Sequence, residues 1–383
     1  MQKLMLLYWG TFILMLLSHR YYPMEHHGEG HRLSKKNFMW RRSDIFMVLT
    51  IIWMTCFSFL RISYNDTSSY IGYFKNAPTL EVFFAEGRHL DLTGNPLSYL
   101  YEAFMHELTD NYHIYFFFPA VLSSLSVVKL CKRFSVNPAF SLLIFYSIGT
   151  WMLYIAALKQ CLAVFVLLIA LPMAIDKKYV RFYLLLGVAM LFHTHSFLFA
   201  IVPFLTRKPW GWTTWLLLGA TVFAMMTYDA TLGAFMAYAQ SIGALVDEGE
   251  LFDGHAINIL RVVVYWIPAV LALIFRRRLF YNSTRTENLF VNMSIASAFI
   301  LTIGTVQAAN LFARMAGYFE IATIIALPWM LKKLFTLRSE KFVTTSACVM
   351  YFGYFCYENL IGRNLDADYS AISLWQFMKS LFV

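Results

Sequence analysis

The chain has 383 residues, 59% hydrophobic, 18% aromatic and only 14% charged. Soluble domains carry about a quarter charged residues, so this composition excludes a soluble globular protein and predicts an all-α, polytopic integral membrane protein. A net charge of +9 would fit nucleic acid in a soluble chain, but the Lys and Arg sit in short clusters between apolar runs, as topology signals do, and no nucleic-acid partner is expected.

A spanning helix needs roughly 20 apolar residues. The first candidate, 4–17, has the apolar core of a signal peptide but no small-residue cleavage site after it, so it reads as a span. Further spans are expected over 45–62, 112–128, 138–158, 161–175, 182–205, 212–228, 262–275, 289–306, 315–331 and 342–357. Allowing for the working length range, that is about 10–12 transmembrane helices in one membrane domain, 1–383. Cys56, Cys131, Cys161, Cys348 and Cys356 lie in or beside these runs with no CxxC pair, and read as small buried hydrophobes.

Basic clusters set the expected orientation, because Lys and Arg are retained on the cytoplasmic side. Arg20, Arg32, Lys35, Lys36, Arg41 and Arg42 mark the first connection as cytoplasmic, which makes 61–111 a large outer loop. Its charges agree: Asp66, Glu81, Glu86, Asp91, Glu102, Glu107 and Asp110 outnumber Arg61, Lys75 and Arg88. Within it, Leu97, Leu100, Tyr101, Phe104 and Leu108 recur at helical spacing and leave Glu102 and His106 on another face, which predicts an interfacial amphipathic helix. Leu80, Phe83 and Phe84 form a second, weaker stripe. The clusters Lys129, Lys132, Arg133 and Asp176, Lys177, Lys178, Arg181 then fall inside, with Lys159-Gln160 at the outer side.

The segment 182–205 has two readings. As one tilted span it would place Arg276, Arg277, Arg278, Lys332 and Lys333 outside, and the acidic loop 229–260 inside, against the charge rule. As a re-entrant hairpin it rises, breaks around His193–Ser196 and descends, which keeps 229–260 as a second outer loop. Irregular backbone at that depth is tolerated only where protein buries it or it lines a cavity.

Ionisable groups at membrane depth cost about 2.5–3.5 kcal/mol for Lys or Arg on insertion scales, so they mark candidate sites. Lys159, in YIAALKQCLAVFV, begins a short span and either reaches a cavity or snorkels to headgroups. Arg314, in AANLFARMAGYFE, opens another outer span end, with Gln307 and Asn310 before it and Glu320 after; the alternative is an arginine on lipid phosphate. Arg261 is similarly placed with nothing polar around it. His193 and His195, two residues apart, point to nearly opposite faces of a helix and have no nearby Cys or acidic ligands in sequence, so no metal is expected. They suit proton transfer or hydrogen bonding near neutral pH, or simply satisfy a helix break. Asp66, in SYNDTSSY, is either functional or a capping residue of a turn. Asp66, Lys159, His193 and Arg314 all map to the outer side on one topology. Cations beside an acid and an imidazole suit a substrate with a diphosphate and a hydroxyl. No cofactor is expected.

At these residues the sequence resembles a known family. ALKQCLAVFVLLIA is similar to an (R/K)QxxA span opening, LLLGVAMLFHTHSFLFAIVPFL to a segment centred on FHxS, Asp66 with Tyr70 to a D-xxx-Y element, and ARMAGYFEIATIIALP to a late R-xxx-YF span. Together, from about residue 64 to 330, they resemble the EpsG-like, Wzy-type polysaccharide polymerases. Lys159 stands where that family often has Arg, which replaces a bidentate fork by a point charge. The resemblance implies a multi-pass bacterial inner-membrane enzyme that joins undecaprenyl-diphosphate-linked oligosaccharide repeat units, donor and acceptor both lipid-linked, on the outer face. It implies that Lys159 and Arg314 hold the diphosphate, that His193 or Asp66 deprotonates the acceptor hydroxyl, and that Gln160 orients sugar or phosphate. His195, Glu102, Tyr70 and Asn310 are further substrate-binding candidates, and flippase and chain-length regulator proteins are the implied protein partners. Competing readings are a flippase or transporter of lipid-linked oligosaccharide, which often shows two similar halves not seen here, and a glycan ligase, another membrane glycosyltransferase or a His-dependent acyltransferase.

Overall fold

The computed structural model describes residues 2–22, 44–87, 91–92, 94–228, 230, 255–361 and 369–381. Arg32, Lys35, Lys36, Arg41, Arg42, Arg88 and most of the second outer loop, 229–260, lie outside the described residues. The chain divides into two compact units, one of residues 1–200 and 341–383, the other of residues 201–340.

In the first unit α1 (Gln2–Tyr21) and α2 (Ile45–Phe59) lead into a short strand, β1 (Arg61–Ser63). Three helices then build the polar connection, α3 (Thr67–Lys75), α4 (Leu80–Ala85) and α5 (Pro96–Leu108). The apolar helices α6 (Tyr112–Phe134), α7 (Pro138–Ser147), α8 (Thr150–Ala156), α9 (Leu158–Ile175) and α10 (Tyr179–Phe192) follow. In the second unit come α11 (Trp212–Met226), α12 (Ile259–Ile274), α13 (Arg276–Phe280), α14 (Arg285–Ile303), α15 (Ala309–Glu320) and α16 (Thr323–Leu334).

The protein is an all-α polytopic membrane protein. Among the described residues, three helices, α6, α9 and α14, are long and apolar enough to cross a membrane alone, and up to five spans result if the bent pairs α7/α8 and α15/α16 each count as one. Shorter apolar helices such as α2, α10, α11 and α12 accompany them. The continuous span expected over 138–158 is instead bent by 60°. Its cause is local: Gly149 between α7 and α8 adopts φ 83°, a left-handed conformation that only glycine enters freely. The span expected over 315–331 is bent by 53° where α15 gives way to α16.

The segment 182–205 resolves as a fold-back. α10 ends at Phe192, His193 is extended at φ −154°, ψ 112°, and a 3-10 helix runs over Thr194–Thr206. In one straight helix residues 17 apart would be separated by about 25 Å. Here the Phe182 and Phe199 rings stack with centroids 6.2 Å apart, and the Tyr183 hydroxyl donates to the Ala200 carbonyl at 3.2 Å. The chain therefore reverses at the histidines, as the charge pattern favours.

A buried ion pair locks the far end of α1, α2 and α6. Asp44 caps α2 by accepting from the Met47 amide at 2.9 Å, and its other oxygen takes the Ser18 hydroxyl at 2.6 Å and Lys132 Nζ at 2.8 Å. Lys132 also donates to the Tyr22 carbonyl at 2.9 Å. The sequence reads Lys132 as one of a topology cluster, whereas the fold gives it a buried carboxylate. Removing one partner of such a pair leaves an uncompensated buried charge, which costs about 3–5 kcal/mol. Lys132→Met is expected to lower the unfolding midpoint in detergent correspondingly, and adding Asp44→Asn to recover part of the loss.

The end of the chain returns to the first unit. α17 (Leu337–Leu360) brings Phe352 and Phe355 onto Tyr8, and β2 (Ser370–Ala371) pairs antiparallel with β1, the one sheet among the described residues. The Ile372 amide donates to the Leu60 carbonyl at 2.9 Å, the Tyr369 hydroxyl to the Phe57 carbonyl, and Phe377 packs edge-on against Phe59.

In the second unit, α14 starts with a capping box between Thr284 and Glu287. One turn further in, Asn292 donates to the carbonyls of Leu205 and Arg207, both at 2.7 Å, and so satisfies the backbone where the 3-10 helix ends.

Candidate functional site

The centre of the first unit's polar region is Lys159, in the first turn of α9. Its side chain is 14% exposed, and its ammonium lies 3.9 Å from Oε1 of Glu102, over the Tyr99 ring at 3.9 Å and toward the Tyr73 ring at 5.4 Å. Three elements make this cup: α3 brings Tyr73, α5 brings Tyr99 and Glu102, and α9 brings Lys159. Gln160 is buried beside it, 1% exposed. An ammonium at a helix N-terminus adds to the positive end of the helix dipole, and together they favour an anion.

α5 holds the cup because of how it packs. The sequence predicts its apolar stripe on one face and Glu102 with His106 on another, and the structure turns the polar face inward. Glu102, Ala103 and Met105 are buried, while Phe104 is 47% and Leu108 61% exposed, as suits a helix whose apolar side meets lipid. Asn95 starts the helix in the left-handed conformation that Asn tolerates, φ 58°, with Pro96 at the first helical position. At the other end Glu107 accepts from the Leu80 amide at 2.8 Å and ties α4 to α5.

The same helix start holds the histidine break. Asn95 Oδ1 accepts from the Thr194 amide at 2.8 Å and its hydroxyl at 3.0 Å, and the Ser98 hydroxyl donates to the Phe192 carbonyl at 2.7 Å. A carbonyl orphaned by the end of α10 is thereby satisfied. His193 and His195 are half-buried with ring centroids 5.1 Å apart. Within one unit, then, α5 touches Lys159 through Glu102 and the His193 break through Asn95 and Ser98.

Asp66 is the N-cap position of α3 with no side-chain capping bond, and is half-buried. Tyr70, on the same helix, is 6% exposed and belongs to the core under the cup with Phe59, Phe74, Met105, Tyr115, Phe116 and Leu158. Arg314 and Asn310 fall in the second unit, on one face of α15 a turn apart; Arg314 is half-buried and Asn310 exposed. There the Tyr265 hydroxyl donates at 2.7 Å to Glu320, a fully buried carboxylate at the α15 bend, and Arg261 lies 5.9 Å from the Tyr265 ring.

Arg61 is the residue that sequence reasoning missed. It reads as a stray basic charge of the outer loop, and it is 1% exposed. Its Nη1 donates to the Ser58 carbonyl at 2.6 Å, its Nε to the Thr67 hydroxyl at 3.3 Å, and its guanidinium covers the Phe116 ring at 3.8 Å. Burial pulls its pKa down to about 10, which leaves it charged at neutral pH. The available signal was position: a lone arginine directly after an apolar span and five residues before Asp66.

Burial also raises the Glu102 pKa, and Lys159 opposes that rise. The Tyr115 phenol stands beside the carboxylate, and the Tyr101 hydroxyl donates to the Tyr115 backbone carbonyl. A buried acid, a cation and a ring of tyrosines can bind an anion and move a proton in one place.

No curated protein and no solved structure matches the chain. The model of the EpsG family matches residues 44–370, a stretch that takes in α2, the whole Lys159 cup, the histidine break and α15. With that coverage of an all-α membrane chain, the protein belongs to the EpsG family and is a membrane protein of the polysaccharide-polymerase type.

Proposed function

We propose that the protein joins undecaprenyl-diphosphate-linked oligosaccharide repeat units, transferring the growing glycan from its lipid diphosphate onto a sugar hydroxyl of the next unit, at the outer face of a bacterial cytoplasmic membrane. The observation that carries this reading is Lys159, a mostly buried cation at a span's end, cupped by Tyr73, Tyr99 and Glu102 of the polar segment. A diphosphate leaving group gathers negative charge as its bond to the anomeric carbon breaks, and a preorganised cation stabilises that charge. Tyrosine rings offer flat faces and a polar edge to a sugar.

In this scheme Lys159 meets the diphosphate and Gln160 orients it, while His193 or Asp66 is a candidate base for the acceptor hydroxyl. His195 and Tyr70 complete the first unit's lining. In the second unit Arg314 and Asn310 bind phosphate or sugar oxygens. A flippase delivers the units and a chain-length regulator acts on the product. The test is the size distribution of surface glycan in cells lacking the protein. Single repeat units on the carrier or its acceptor, extended to long chains when the gene is restored, are expected; lipid-linked units trapped on the cytoplasmic face would indicate a flippase instead.

A further inference from the structure

Glu102 is placed for more than substrate contact. Its carboxylate is 3% exposed as a residue, and Oε1, the oxygen nearest Lys159, has no hydrogen-bond partner. A direct ammonium–carboxylate hydrogen bond is about 2.7–2.9 Å long, and the 3.9 Å separation is too long to be one. The oxygen therefore faces the cation without a direct hydrogen bond to it. Leaving a buried acceptor unsatisfied is costly, and a catalytic role is one physical reason for keeping such a group.

The groups facing it come from every neighbouring element. Lys159 approaches from α9, Tyr115 from α6 and Tyr101 from α5 itself; Tyr73 of α3 and Tyr99 of α5 cover the ammonium; His106 follows Glu102 one turn on. Burial raises the pKa of this carboxylate, and Lys159 is the cation that opposes the rise.

We propose that Glu102, in place of His193 or Asp66, is the general base of the transfer, an inference that rests on the polymerase reading above. The acceptor hydroxyl oxygen attacks the anomeric carbon of the donor glycan and forms the new glycosidic C–O bond. The old C–O bond to the diphosphate breaks, and its electron pair leaves with the phosphate oxygen beside Lys159. The hydroxyl proton passes to Glu102 Oε1, which becomes a neutral acid and later returns the proton to water. Coupling between the two residues times the step. When a diphosphate takes up the charge of Lys159, Glu102 loses its counter-ion and gains an anionic neighbour, and both changes strengthen it as a base.

The experiment uses the full-length protein purified into lipid vesicles with a lipid-diphosphate-linked repeat unit as probe, reading polymer formed against pH and, separately, binding of the unit. Wild type is expected to speed up as pH rises through the base's titration. Glu102→Gln keeps the shape and loses the base: the rate is expected to fall about 100-fold or more, with binding of the unit unchanged or tighter and the rising pH limb gone. Glu102→Asp should restore part of the rate and the limb. A Gln variant with the wild-type rate and pH profile overturns the inference, as does a loss of rate matched by an equal loss of binding. Wild type that binds the unit and makes no polymer overturns the polymerase reading, and this inference with it.

Discussion

Lys159→Ala should leave cells with single repeat units in place of long glycan, a fall in polymerisation of about 100- to 1,000-fold, the usual cost of removing one preorganised group that stabilises a developing anion. The change also strands Glu102, 4% exposed at its side chain, without the cation 3.9 Å away. An uncompensated buried charge costs about 3–5 kcal/mol, so instability alone would also lower the output. The double variant Lys159→Met with Glu102→Gln separates the two effects, because it removes both charges and keeps the volume. Its melting temperature in detergent should return close to that of wild type while polymer remains absent. Recovery of long chains together with stability would mean that the pair serves only the fold. Lys159→Arg keeps the positive charge beside Glu102 and should stay active.

Arg61→Ala is expected to be the most damaging single change to the first unit's structure. The guanidinium covers Phe116, ties the end of α2 to α3 through Ser58 and Thr67, and lies in the strand that β2 pairs with. Alanine leaves a cavity beside the Phe59–Phe116 core and frees two acceptors, a combination worth about 3–5 kcal/mol. For a unit of this size that is a shift of about 10 °C in melting temperature. Arg61→Lys keeps the charge but cannot reach both partners at once, and should fall between. An alanine variant that melts like wild type would show that the outer segment is held by the C-terminal return through Tyr369, Ile372 and Phe377 without Arg61.

Membrane class was legible because composition reports solvent directly, and the basic clusters favoured a reversal at His193 over one tilted span without deciding between them. α5 was legible as well, since its apolar positions recur at helical spacing. The face it turns inward was not, because in a membrane protein the apolar stripe can meet lipid and the polar face can meet the core, the reverse of the soluble rule. Bends such as the one at Gly149 are hidden for a related reason: hydropathy averages over a window and does not see one residue's backbone conformation. The partners of Lys132 and Arg61 were invisible because Asp44 and Thr67 meet them only after the chain has folded, and a charge at a span's end looks the same whether it snorkels or pairs. In the candidate site, single residues stood out by their cost at membrane depth, and the grouping of Lys159 with Glu102, Tyr73 and Tyr99 needed the docking of α5.

The central claim is that glycosidic bonds form here with lipid diphosphate leaving. The direct measurement is the ratio of undecaprenyl diphosphate released to linkages formed when purified protein in vesicles receives only the lipid-linked repeat unit. One diphosphate lipid released per new linkage, alongside a ladder of lengthening chains, is the expected result. Units moved across the bilayer without diphosphate release, or released with no chain longer than one unit, would contradict it.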